Sequence, residues 1–251
     1  MNCSTCNHSY DNQAEFLCPS CGAYENISLF SEVPIYRTFL QDLVNKTATL
    51  IDKLDKKGIR NTDIRRTKLG GFNILTLATI YDIADYDNDI RYSDSRIPTT
   101  IKKSNPSVDD NFIQRIVENI DIRNRQSYLV ISLFQFENLF TELAKKRGFS
   151  GRETYSNVVT HVINNLKLKN KKESLEVLLL PSYVRNTLHS QGVYKNEKIP
   201  KKEFSVKKIL FKFENGKGHD FTSWRHLIFY FNNIIETIEE ILEVDMKNND
   251  N

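Results

Sequence analysis

All four cysteines of the chain fall within its first 21 residues, at Cys3, Cys6, Cys18 and Cys21. They form two C-x2-C pairs, and Gly22 follows the second. A C-x2-C turn directs both sulfurs to one side, so two such turns offer four thiolates to one tetrahedral ion. The spacing predicts a structural Zn2+ on Cys3, Cys6, Cys18 and Cys21, with no open position for catalysis. A redox role fits less well, because a redox C-x2-C normally adjoins a βαβ unit and Asn- and Ser-rich turns lie here instead. His8 reads as a surface residue beside a site that four sulfurs already complete. The other 230 residues hold no cysteine, which argues against a disulfide framework and for a reducing, cytoplasmic setting.

The charge around this segment bears on its role. Residues 1–33 contain no Lys or Arg and four acids, Asp11, Glu15, Glu25 and Glu32. A divalent ion on four thiolates adds further negative charge. Phosphates would be repelled by such a knob, so a protein contact or an intramolecular brace is expected rather than a nucleic-acid finger. The other 218 residues carry all 35 basic residues against 28 acids.

A second constellation lies at Arg185-Asn186-Thr187-Leu188-His189, followed by Gly192. On a helix, Arg185 and His189 are i and i+4 and share a face. Histidine can exchange a proton near neutral pH, and arginine can grip a phosphate and stabilise the charge that builds on it. Together they suit phosphodiester cleavage with the RNA 2′-hydroxyl as nucleophile, which needs no metal. By itself the spacing is equally that of a helix cap or a bridge to backbone carbonyls. His161, His219 and His226 form no competing arrangement: His161 sits on a Val/Ile-rich helix, His219 in a turn after Gly218, His226 in the first turn of the last helix.

Helices and one β unit must position these residues. Helical periodicity runs from Ile35, after a boundary at Pro34, to Lys57, and again over 72–84. Residues 85–107, with Pro98 and Pro106, read as loop. Asp85, Asp87 and Asp89 there lack the Gly and Glu that a calcium loop requires and read as solvated carboxylates. A short helix is expected from Ser107 to Glu118, a long one over 124–147, and another over 152–168. Glu137 in the long helix reads as a partly exposed charge. Pro181 should start a new short helix or a kink, with Gly192 as its stop. Alternating Ile209, Phe211 and Phe213 predict a strand, with Asn215-Gly216 as hairpin turn. The last helix is expected over 222–243, capped by Thr222 or Ser223. This gives a zinc ribbon at 1–33, a helical spacer and loop at 34–106, a helical domain at 107–245 and a polar tail at 246–251.

Composition narrows the function classes. A net charge of +3 and 27% charged residues are those of an ordinary globular protein. No apolar run reaches the ~20 residues of a membrane helix, and no secretory signal is expected at the N-terminus. Neither G-x-x-x-x-G-K-[ST] nor G-x-G-x-x-G occurs, which disfavours P-loop, kinase and dinucleotide-binding readings.

A helical unit carrying Arg185-Asn186-x-x-His189-x-x-Gly192, then an aromatic hairpin and a long final helix, resembles the HEPN superfamily over residues 107–245, in particular its prokaryotic toxin–antitoxin and phage-defence members. The resemblance implies a mainly α, HEPN-like bundle with a small β-hairpin, here preceded by the zinc ribbon, and a homodimer in which two motifs face each other. It implies metal-independent endoribonuclease activity, with Arg185 stabilising phosphate, His189 as acid/base and Asn186 orienting the pair. RNA is the expected substrate, and a protein partner or antitoxin would engage the acidic ribbon. Family motifs carry four to six residues between Arg and His, whereas three stand here; one residue fewer rotates a helical side chain by about 100°. Some members bind RNA or protein without cutting, and a non-catalytic module is the alternative.

Overall fold

The computed structural model describes residues 3, 6–9, 17–23, 29–90 and 95–249. Among them are seven helices and one two-stranded antiparallel sheet: α1 (Leu29–Lys56), α2 (Ile64–Ile90), α3 (Arg96–Ser104), α4 (Asp110–Lys146), α5 (Tyr155–Asn164), α6 (Lys171–Leu188), β1 (Lys201–Val206), β2 (Ile209–Glu214) and α7 (Trp224–Asn249). The mainly helical architecture with a small hairpin is as expected. Asp11, Glu15 and Glu25 lie outside the described residues.

Helix α4 is the central column, packed by α2, α5, α6 and α7, while α1 joins α2 to α7. It is one helix where the sequence suggested two. Asp109 caps it by accepting from the Phe112 N–H at 2.7 Å. The polar stretch near 121 stays helical because Asp121 is buried and satisfied: Arg125 Nε donates at 2.7 Å and Trp224 Nε1 at 3.0 Å. Phe72, Tyr128, Phe136 and Phe231 interlock at the crossing of α2, α4 and α7, with centroids 4.8 Å (Phe72–Phe136) and 5.2 Å (Tyr128–Phe231) apart.

Other boundaries also differ from the sequence expectation. Pro34 lies inside α1, where it removes a single helical N–H. Gly70-Gly71 lies inside α2, and a Cβ at Gly71 would meet Gln135 Oε1 of α4 at 3.1 Å, so that glycine permits close helix packing. Asp85, Asp87 and Asp89 belong to α2 rather than a loop, and Arg96 of α3 binds Asp89. Pro181 lies within a continuous α6, where burial on all sides holds the helix despite the missing bond. Helix α5 is shorter than expected, and α7 extends into the supposed tail as far as Asn249. Leu40 and Leu43 of α1 and Phe72 of α2 share one apolar core with Phe140, Leu178 and Phe231.

The hairpin also departs from expectation. Its turn is Lys207-Lys208, both at positive φ (48° and 68°), which is the torsion pattern of the two-residue turn favoured by strand twist. Glu173 of α6 accepts from the Lys207 N–H at 3.3 Å and holds it there. Asn215-Gly216 instead turns the chain after β2, so that Gly218 pairs with Val193 just beyond α6. The register sets Phe204 opposite Phe211 and Lys202 opposite Phe213. Tyr183 of α6 meets Phe204 edge-on at 4.9 Å and fixes the hairpin to the helix.

Candidate functional site

The two cysteine turns have the same local geometry. Asn7 N–H donates to Cys3 O at 2.7 Å and Gly22 N–H to Cys18 O at 2.8 Å. Cys3 N–H donates to His8 O and Cys18 N–H to Ala23 O, at 2.9 and 3.0 Å. Asn7 and Gly22 are both left-handed, at φ 59° and 69°, a conformation that Gly and Asn reach most cheaply. Asn7 is therefore the first turn's counterpart of Gly22, a signal present in the sequence and missed there.

All four Sγ atoms lie within 4.8 Å of one another, with Cys3–Cys21 at 3.6 Å and Cys6–Cys18 at 3.8 Å. Four sulfurs placed ~2.3 Å from a common centre would be spaced about 3.8 Å apart, so the cluster fits a tetrahedral metal ion. The titration behaviour agrees. Burial and the three neighbouring sulfurs push the Cys21 thiol far up, and burial raises Cys18. Burial opposes ionisation of Cys6 too, but the His8 N–H and the adjacent thiols bring it down to about 7. Four thiols crowded this closely ionise together only around a cation. His8 is exposed, as expected.

The second turn is seated on the helical body. Leu17 belongs to the main core. Leu210 N–H, on the outer edge of β2, donates to Pro19 O at 3.2 Å. His226 Nε2 donates to Gly22 O at 2.7 Å. A Cβ at Gly22 would lie 2.7 Å from the Phe211 ring. Among the described residues the ribbon thus makes an intramolecular brace, one of the two roles its charge left open. No local pattern connects His226 with Gly22, 204 positions earlier.

Arg185, Asn186 and His189 are brought together at the C-terminal end of α6. His189 is the C-cap and keeps helical torsions (φ −63°, ψ −16°), so it remains one turn beyond Arg185. Gly192, at φ 82°, closes the helix by donating its N–H to Thr187 O at 3.0 Å. Val184 and Thr187 are buried and anchor the turn. The side chains of Asn186 and His189 are exposed and without a hydrogen-bond partner among the described residues.

Arg185 does have a partner. Its Nη1 pairs with Glu137 Oε1 of α4, the two side chains being 18% and 24% exposed. Glu137 is therefore part of this site and not merely a surface charge. Tyr155 of α5 lies close by. Its hydroxyl is buried with no hydrogen-bond partner among the described residues, and burial, reinforced by the Glu137 charge, raises its pKa against the opposing effect of Arg185. Neither Glu137 nor Tyr155 could be linked to Arg185 by spacing, because they come from other helices. The segment after α6 is strongly basic: residues 195–217 hold eight lysines and three glutamates.

No helix among the described residues is long and apolar enough to cross a membrane. The chain matches no protein-family model, no curated protein and no solved structure.

Proposed function

We propose that the protein is a metal-independent endoribonuclease of HEPN type, acting as a toxin or defence effector. The observation that carries this reading is the placement of Arg185 and His189 one turn apart at the end of a largely buried helix, with His189 exposed and without a hydrogen-bond partner among the described residues. Arg185 would contact a non-bridging phosphate oxygen. His189 would take the 2′-hydroxyl proton as the 2′-oxygen bonds to phosphorus, and the 5′-oxygen would leave with a proton returned by imidazolium. The products would be a 2′,3′-cyclic phosphate and a 5′-hydroxyl. Asn186, on the exposed side of the same turn, would orient the RNA. The lysines of 195–217 would supply the sequence-independent attraction to phosphate.

In this reading the four-Cys centre holds structural zinc, because four thiolates fill the coordination shell and leave no position for a reacting group. The chain would act as a homodimer. Ile131 and Phe134 of α4 are 43% and 50% exposed, and Ile74 of the antiparallel α2 is 69% exposed. A second copy would cover this face, one helical turn from Glu137. A non-catalytic RNA-binding module is the second reading, favoured by the ion pair that already occupies Arg185.

The deciding experiment incubates the full-length protein with a mixed RNA pool without added divalent ions, beside Arg185→Ala and His189→Ala. Chelation is unsuitable, since the ribbon contributes Leu17 to the core. Cleavage by wild type alone, with cyclic-phosphate ends, supports the enzyme. Folded variants and wild type that all bind RNA and cut none of it support the binding module.

A further inference from the structure

A cleft of about 320 Å3 lies between the cysteine turns and the outer edge of β2, lined by Ser20 and Cys21 on one side and by Lys212, Lys217, His219 and Phe221 on the other. That volume is within the roughly 300–1,000 Å3 of small-ligand sites. His219 stands out in its wall. Both ring nitrogens are buried, and neither has a hydrogen-bond partner among the described residues. Buried polar atoms are rarely left so, and each such atom calls for a missing partner. The ring is fixed by aromatic neighbours: Phe221 stacks on it at 4.6 Å and 20°, and Phe213 meets it edge-on at 4.8 Å. Its backbone N–H donates to Gly192 O at 3.2 Å, which sets the cleft three residues beyond His189.

We propose that this cleft is a nucleobase pocket in which His219 reads the edge of the base. Burial keeps the imidazole neutral, its pKa pushed down to about 4, so it offers one N–H and one bare nitrogen. The two nitrogens are closed to the cleft as the ring stands; a half-turn about the Cβ–Cγ bond, which keeps the same volume between Phe213 and Phe221, would place them where the ring carbons lie. The complement is a planar ligand carrying both an acceptor and a donor, as base edges do. A bare anion is a poorer fit, because Asp220, Glu214, Cys6 and Cys21 share the walls, and the cysteines would be thiolates when they hold a metal. Glu214 neutralises Lys217, leaving Lys212 at the rim for the phosphate attached to the base. The pocket would select which nucleotide lies next to His189, and to that extent it rests on the ribonuclease reading.

Calorimetric titration of the metal-loaded full chain with each of the four ribonucleoside 5′-monophosphates, and with the four corresponding homohexaribonucleotides, tests the proposal. At least one base should bind. His219→Phe keeps the aromatic stacking and removes both nitrogens, so it should weaken that base by about 10- to 100-fold, the worth of one good base-edge contact, with an unchanged or higher melting temperature. Lys212→Ala, a change at an exposed side chain, should weaken the monophosphates. Binding of mononucleotides alone identifies a free nucleotide as the ligand, and binding of both identifies RNA. No binding at millimolar concentration, or equal binding by His219→Phe, overturns the pocket. Loss of cleavage in Arg185→Ala reports on the ribonuclease separately, so the two readings fail independently.

Discussion

His226 Nε2 donates to the carbonyl of Gly22 at 2.7 Å, and Ser223 Oγ lies 2.6 Å from its Nδ1. A carbonyl only accepts, so the proton sits on Nε2, and Nδ1 accepts from the serine hydroxyl. One neutral imidazole therefore ties the metal-binding turn to the start of α7. Burial pushes its pKa down to about 4.

That shift predicts acid sensitivity. An unfolded histidine titrates near 6.5, so below that pH the unfolded chain binds the extra proton and the folded chain does not. The contribution of His226 is complete above pH 6.5 and is lost as pH falls toward 4, by about 3 kcal/mol at ~1.4 kcal/mol per pKa unit. Thermal melts from pH 8 to 4 should show this limb. A His226→Gln variant should be less stable at pH 8 yet flatter across the window, and an equally steep fall in the variant would rule His226 out as its source.

Gly22→Ala should be far more costly than Gly58→Ala. Both glycines have positive φ, 69° and 72°, but a Cβ at Gly58 meets nothing within 4 Å, whereas at Gly22 it meets the Phe211 ring at 2.7 Å. Gly58→Ala should cost about 1–2 kcal/mol, the left-handed penalty alone. Gly22→Ala adds overpacking of about 1–3 kcal/mol. Urea unfolding of the two variants side by side measures the difference, and equal midpoints would mean the turn is not seated on Phe211.

One zinc ion per chain is expected by elemental analysis. Iron, which four thiolates also accept, would correct the assignment. Removing the metal with a chelator, or substituting Cys18→Ser, should lower the melting temperature of the whole chain, because the ribbon covers Phe211 and His226. An unchanged transition would mean that the turn stays docked without its ion.

Glu137→Gln should destabilise the fold by about 1–3 kcal/mol, since the pair is only 18% and 24% exposed and Arg185 loses its counter-charge. It should release the Arg185 charge. RNA affinity should rise, and the slope of log K against log salt should steepen by about 0.7–0.9, the value of one more phosphate contact. Fluorescence anisotropy with a labelled RNA at several salt concentrations reads this directly, and an unchanged slope would remove Arg185 from the RNA surface.

Local rules made much of the protein legible in its sequence. The spacing of Cys3, Cys6, Cys18 and Cys21 is enough to define a four-sulfur cluster, since each turn needs only its own few residues. Arg185 and His189 share a helix, so their common face follows from the helical repeat, and Gly192 marks its end. Elements whose limits depend on distant partners were not legible. Pro181 and Gly70-Gly71 would end helices in water, but within the packed core neighbouring helices support the chain through them. Asp121 stays buried within a continuous α4 because Trp224, from another helix, joins Arg125 in satisfying it. Lys207-Lys208 turns the hairpin, with the Lys207 N–H held by Glu173 of α6, although Asn215-Gly216 has the better local chemistry. The links from Arg185 to Glu137, from Gly22 to His226 and from His219 to Gly192 join separate elements. No local pattern encodes such contacts; they exist because burying one shared core brings the helices, the hairpin and the ribbon together.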